Sequence, residues 1–250
     1  MLADRHVALL EASYARGRRV VEFGAGTGML TAELANVAAG VLAIEADPVL
    51  AGELALRLSS KNTEILNADF FRVPDARFAG MEMLVSNVPY ALSSKLISWL
   101  VAHRLDAVLC LQREFVKRMM ARPCGSEYSR LSVVSSLFFD VERVCGVPPS
   151  AFYPRPRVWS EVVRVTPRRH AVDAGSGALE VLKLLMAHKN RTLRNAVVAS
   201  ARQLHLSKEG ARRMALVLPS SAMRPAKMAP EALLDAAAAI ASLQKEYAGS

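Results

Sequence analysis

The chain has 250 residues, 52% of them hydrophobic and 22% charged, and a formal net charge of +9. That is enough chain to bury a substantial core as one large domain, or as one domain with a small appendage. No apolar run reaches the roughly 18 residues that cross a bilayer, and the start, with Asp4 and Arg5 ahead of a short apolar stretch, lacks the shape of a signal peptide. Cys110, Cys124 and Cys145 are too few and too dispersed for a zinc site or a disulfide framework. A cytoplasmic protein with reduced, structural cysteines and no metal is expected.

The elements follow in chain order. Short apolar runs predict strands near 18–23, 41–45, 63–67, 82–86 and 106–111, and helical spacing predicts helices over 29–38, 48–59, 93–102, 113–121 and 129–138. This alternation is the signature of an α/β domain with a mostly parallel sheet. Two later strands, about 140–146 and 160–166, flank the segment from Pro148 to Pro156, which is too proline-rich for a helix or a central strand and reads as an ordered loop or arm. After Pro167 the composition changes to Ala, Leu, Lys and Arg at helical spacing, with Gly175-Ser176-Gly177 as the expected linker. The boundary is therefore drawn between residues 1–167 and 168–250. The charge divides unevenly too: residues 1–166 carry a net +2 and residues 167–250 a net +7. A basic appendage on a near-neutral body suits nucleic acid or another anionic surface, although a solvated basic helical face has the same composition.

Four features fall at successive strand ends. The first strand runs into Glu22-Phe23-Gly24-Ala25-Gly26-Thr27-Gly28, a turn whose backbone N–H groups can approach a ligand closely. Glu45 ends the second strand, where a carboxylate can take both hydroxyls of a ribose. These two alone also fit NAD. Asp69 closes the third strand and suits a hydrogen bond from the amino group of a cofactor adenine. Asn87-Val88-Pro89-Tyr90 ends the fourth, joining a side-chain amide, carbonyl acceptors and an aromatic ring, a set that suits a planar heterocyclic amine. Singly, Glu45 and Asp69 fit a helix cap or a surface ion pair, and Asn-Val-Pro-Tyr fits a turn. Four in register point to a ligand edge.

These stretches resemble the small-subunit ribosomal RNA adenine dimethyltransferases. The likeness extends through Leu111-Gln112-Arg113-Glu114-Phe115-Val116, Tyr128-Ser129-Arg130-Leu131-Ser132-Val133, Val147-Pro148-Pro149-Ser150-Ala151-Phe152-Tyr153-Pro154-Arg155-Pro156-Arg157-Val158, and His188-Lys189-Asn190-Arg191-Thr192-Leu193-Arg194-Asn195. The resemblance implies a Rossmann-like methyltransferase domain, with a mostly parallel seven-stranded sheet carrying one antiparallel strand, followed by a small basic helical RNA-binding domain. It implies dimethylation at N6 of two adjacent adenosines, with S-adenosylmethionine as donor and a monomer acting on the pre-small-subunit particle. It assigns Glu22, Gly24, Gly26, Glu45, Ala46, Asp69 and Asn87 to the cofactor, with no metal. Asn87, Pro89 and Tyr90 would hold the target amine and base, and Phe152 would close the other face of that base. Lys183, Lys189, Arg191, Arg194, Arg202, Arg212 and Arg213 would track RNA, with Arg113, Lys117, Arg118, Arg122 and Arg130 as a second patch near the catalytic mouth.

Members of that family begin with a longer lead-in bearing a Gln and a Phe before the stretch that here reads Met1-Leu2-Ala3-Asp4. Its absence implies weaker cofactor binding or a start upstream of Met1. Four other readings stay open: a large-subunit RNA adenine methyltransferase, a DNA adenine methyltransferase, an assembly factor whose catalysis is secondary, and an NAD-linked oxidoreductase.

Overall fold

A computed structural model describes residues 2–3, 5–58, 62–169 and 176–247. They form two compact units, Met1–Val116 with Phe139–Pro167, and Lys117–Phe138 with Arg168–Ser250. Segment 117–138, placed with the first domain on sequence grounds, belongs to the second unit. It is bonded there: the Tyr128 hydroxyl donates to the Met228 carbonyl at 3.0 Å, and the Cys124 backbone N–H to the Ala226 carbonyl at 2.9 Å.

In chain order the first unit contains β1 (Leu2–Ala3), α1 (Arg5–Ser13), β2 (Arg19–Phe23), α2 (Met29–Val37), β3 (Gly40–Glu45), α3 (Pro48–Leu58), β4 (Thr63–Asn67), β5 (Met83–Asn87), α4 (Ser93–His103) and β6 (Asp106–Gln112). The chain leaves through α5 (Arg113–Met119) and α6 (Arg130–Phe138), then returns as β7 (Phe139–Val147), β8 (Phe152–Tyr153) and β9 (Ser160–Pro167). Seven strands form one sheet in the order β4-β3-β2-β5-β6-β9-β7. The first five are mutually parallel, and β9 runs antiparallel to both β6 and β7. The single antiparallel strand expected from sequence is β9.

The central strands are apolar on both faces: Val20, Val21, Leu84, Val85, Val108 and Leu109 are all fully buried. A strand read without polar alternation is what a sheet covered by helices on both sides requires. The order also decides where a ligand can sit. From β2 the chain adds β3 and β4 on one side, then crosses back to add β5 and β6 on the other, so β2 and β5 border the crevice where ligands bind in open α/β sheets. The glycine turn follows β2, and Asn87 ends β5.

Three elements, β1, α1 and β8, had no clear signal in the sequence. Helix α1 covers the sheet through Val7, Ala8 and Ala12. Inside the proline-rich arm, a single turn at Pro149–Ala151 leads into β8, which pairs antiparallel with β1.

The second unit is helical throughout its described residues, with α7 (Ser176–Ala187), α8 (Leu193–Ala199), α9 (Lys208–Val217) and α10 (Pro230–Tyr247) added to α6. Leu182, Leu193, Val197, Met214, Leu233 and Ile240 make its core. Side-chain oxygens of Thr192 and Ser207 accept the Asn195 and Gly210 N–H groups and so start α8 and α9. Of the expected linker, Ser176 and Gly177 instead open α7, and Gly175 lies outside the described residues, as do Met1 and Asp4.

Candidate active site

Past β2 the backbone enters the left-handed region at Gly26 (φ 57°) and Gly28 (φ 83°). A Cβ at Gly28 would drive into Leu54 and Leu58 of α3, so the loop sits tight on that helix. A Cβ at Gly26 would meet nothing within 4 Å, so the backbone there borders open space that a ligand can occupy. Glu45 braces the same turn. Its Oε2 accepts the Gly26 N–H at 2.7 Å and its Oε1 the Asp47 N–H at 2.9 Å. An ionised carboxylate offers about four lone-pair sites, so both oxygens can still accept from ribose hydroxyls. Gly24 faces the other side of the crevice: a Cβ on it would lie 3.8 Å from the Pro89 ring.

Beneath the loop lies a buried acidic pair. Glu22, 1% exposed, takes a 2.6 Å hydrogen bond from the Thr31 hydroxyl of α2. Burial pushes its carboxyl up to about 7, with the Thr31 bond opposing and the Glu45 charge adding. Glu11 of α1 is wholly buried, and neither of its oxygens has a hydrogen-bond partner. Burial, then the charge of Glu22, pushes it up to about 8. Glu22 thus faces Thr31 of α2 within the core.

At the end of β4, Asp69 is exposed, and its Oδ1 accepts the Phe71 N–H at 3.0 Å in the local role of a turn cap. Its other oxygen is 3.7 Å from Arg72. Asn67 ties this end to β3, its amide donating to the Glu45 carbonyl at 2.9 Å and the Ala46 carbonyl at 3.2 Å.

Asn87 lies half-buried at the end of β5, in register with Cys110 of β6. The preceding Ser86 donates to the Phe23 carbonyl at 2.7 Å, which locks the ends of β5 and β2 together. After Asn87 the chain turns: the Pro89 carbonyl accepts the Leu92 N–H at 2.8 Å, and the Tyr90 carbonyl accepts the Ser93 hydroxyl at 3.0 Å. The half-buried Tyr90 ring is held at its far end by a 2.7 Å hydrogen bond between its hydroxyl and that of Ser160 on β9. Partial burial raises the Tyr90 pKa above its ordinary value, with the Ser160 bond opposing. Phe152 does not stand open beside it. The ring is 5% exposed and belongs to the core cluster that includes Ala8, Ala25, Cys110, Val147 and Val162.

A glycine turn, a ribose-competent carboxylate and an amide-Pro-aromatic turn thus meet across β2 and β5. The pattern of residues 6–224 matches the model of the ribosomal RNA adenine dimethylase family. The chain belongs to that family. It is 41% identical to the probable ribosomal RNA small subunit methyltransferase A of Methanopyrus kandleri, over 89% of this chain and 82% of that protein. With the protein of the same description from Pyrobaculum aerophilum it shares 38% identity over 74% of this chain and 79% of the relative. Among solved structures, a dimethyladenosine transferase from Plasmodium falciparum superposes with a TM-score of 0.78 at 27% identity, covering 94% of this chain and 96% of that one. The 23S rRNA methyltransferase ErmE superposes with a TM-score of 0.64 at 28% identity, covering 96% and 99%.

As a ribosomal RNA adenine dimethylase the chain is a Rossmann-like, S-adenosylmethionine-dependent rRNA methyltransferase. The residues present fit that donor: the hollow at Gly26 leaves room for it, and Glu45 retains acceptor capacity. Sequence reasoning missed four residues that hold the site in shape, namely Thr31, Asn67, Ser86 and Ser160. Their types are ordinary, and only the register of the strands reveals them.

Several of the basic residues expected to meet RNA are already engaged. Arg113 lies 3.4 Å from the buried Glu161, which Arg143 also approaches at 3.1 Å, and Lys183 and Arg212 lie 3.5 and 3.6 Å from glutamates of their own helices. Lys189 donates to the Tyr128 carbonyl at 2.5 Å, which makes it a brace of the second unit. Arg194 and Arg212, with Thr192, Asn195 and Ser221, line an open cleft of about 500 Å³ in that unit. Among the described residues no cluster of His, Cys, Asp or Glu could hold a metal, and no helix is long and apolar enough to cross a membrane.

Proposed function

We propose that this protein dimethylates N6 of two adjacent adenosines in a loop of small-subunit ribosomal RNA, acting in the cytoplasm as a monomer on a precursor of the small subunit. The observation that carries the reading is the approach of Gly24 to Pro89, which sets the cofactor turn against the Asn87–Tyr90 turn within one crevice. The small-subunit assignment is supported by the descriptions of the relatives from Methanopyrus and Pyrobaculum.

Gly24, Gly26 and Ala46 would border S-adenosylmethionine and Glu45 and Asp69 would hold it; when bound it would supply a methyl group already activated on a sulfonium. The protein contributes position and electrostatics, with no nucleophile of its own. Asn87 Oδ1 accepts from the target amine. The backbone carbonyl of Val88 or of Pro89, which keeps a lone pair beside its bond from Leu92, is the second acceptor. As the amine gains positive charge these bonds strengthen, which favours the transition state over the ground state. Tyr90 stacks on the base with its ring fixed by Ser160, offsetting part of the few kcal/mol, roughly, that extrusion from a stack costs. Phe152 shapes the pocket wall from the core side, and its use as a second stacking face requires it to turn out of its cluster. The basic helical unit supplies contacts to folded RNA.

The test is transfer of labelled methyl groups to unmethylated small subunits, with digestion to nucleosides and mapping. Dimethyladenosine at adjacent loop positions with wild type, and none with Asn87→Ala, is the expected result. Transfer to large-subunit RNA alone, or no transfer with intact subunit binding, refutes it.

A further inference from the structure

Two exposed aromatic rings stand beside the site, one on the arm and one just past it. In β8 successive side chains point to opposite faces: Phe152 is buried at 5%, while Tyr153 is 76% exposed. The same alternation occurs at the entry to β9, where Ser160 is fully buried and holds Tyr90, and Trp159 is 48% exposed. The inward member of each pair thus belongs to the pocket or the core, and the outward member is left on the surface next to it. Trp159 is anchored. Its carbonyl accepts the Arg113 N–H at 2.9 Å, and its indole lies over Gly146 of β7, where a Cβ would be 3.9 Å from the ring.

Along the chain, the charge between these two rings has one sign. Between Glu142 and Glu161 the only charged residues are Arg143, Arg155 and Arg157, and the latter two are exposed. Arginines set between exposed aromatics make a surface for single-stranded nucleic acid, in which bases stack on rings and phosphates meet cations. A protein partner would draw less from so uniform a positive field.

We propose that Tyr153 and Trp159, with Arg155 and Arg157, form a stacking platform for unpaired RNA nucleotides that flank the target adenosine. The platform rests on the functional reading above and extends it: it holds the strand next to the extruded base, so that the second adenosine remains in reach while the first is modified.

The experiment uses the full chain with Trp99→Phe, which leaves Trp159 as the sole tryptophan of the two present. Binding of an unstructured adenosine-rich oligoribonucleotide should quench Trp159 fluorescence, whereas a polyanion without bases should not. In the native background, Trp159→Ala and Tyr153→Ala should each raise KM for unmethylated small subunits by about tenfold, with S-adenosylmethionine affinity and kcat at saturating RNA unchanged. Trp159→Phe should restore most of the loss. Arg155→Gln with Arg157→Gln should flatten the salt dependence of binding. Unchanged KM in both alanine variants, or no quenching by the oligonucleotide, overturns the platform. Failure of wild type to methylate small subunits, with Trp159 still quenched by RNA, would instead refute the functional reading and leave the platform standing.

Discussion

Glu11 offers a test of the forces under the pocket that needs no substrate. Its carboxyl is wholly buried without a hydrogen-bond partner and holds its proton up to about pH 8, against an ordinary value of 4.5. In the unfolded chain the proton leaves near pH 4.5, so between 4.5 and 8 the folded state binds more protons than the unfolded one. Stability contributed by this group must therefore fall as pH rises through that window, by about 1.4 kcal/mol per unit, and level off above it. At pH 7 the cumulative cost is on the order of 3 kcal/mol. Glu11→Gln keeps the shape and removes the titration. It should match wild type near pH 4.5 and exceed it progressively toward pH 8, with the melting temperature of the first unit higher by roughly 5–10 °C at pH 7. Glu11→Met, which also removes the buried polar group, should gain further. Urea unfolding monitored from pH 4.5 to 8.5 measures the effect. Parallel stability profiles for wild type and Glu11→Gln would show that the carboxyl is hydrated or paired, and the reasoning would fail.

Other outcomes follow from the site itself. Glu45→Gln removes a charge-assisted acceptor from the Gly26 N–H and should weaken S-adenosylmethionine binding by about tenfold or more in calorimetry, with folding retained. Gly26→Ala places a methyl group in the hollow at a positive φ, at a cost of roughly 1–2 kcal/mol in stability; its larger effect should be on cofactor affinity, and equal affinity would mean that the hollow is not used. Tyr90→Phe loses only the bond to Ser160 and should lower kcat by a few-fold, roughly, as Ser160→Ala should. Tyr90→Ala loses the stacking ring and should cost about tenfold to a hundredfold. If Tyr90→Ala behaves like Tyr90→Phe, the ring does not stack on the base.

Much of this protein is written locally. Strands β2 to β6 are short apolar runs between helical patterns, and a run apolar on both faces already implies helices on either side of a sheet. The glycine turn and Asn87-Val88-Pro89-Tyr90 were legible because backbone geometry and aromatic chemistry restrict which residues can serve there. Tertiary structure decided the rest. Strand order brings Gly24 against Pro89, though 65 residues separate them in the chain, and no local pattern encodes that approach. Register gives Ser160 and Tyr90 to each other and turns Asn67 back onto Glu45. Burial made Phe152 a core residue and left its neighbour Tyr153 outside, a distinction that two adjacent aromatics cannot show in sequence. It also sealed Glu11 beside Glu22, on a helix that the sequence did not signal. Composition placed segment 117–138 with the sheet, but its contacts, such as Tyr128 to Met228, lie with helices some hundred residues further along. Contacts between distant segments depend on the packing of the whole chain, so they become visible only once it is folded.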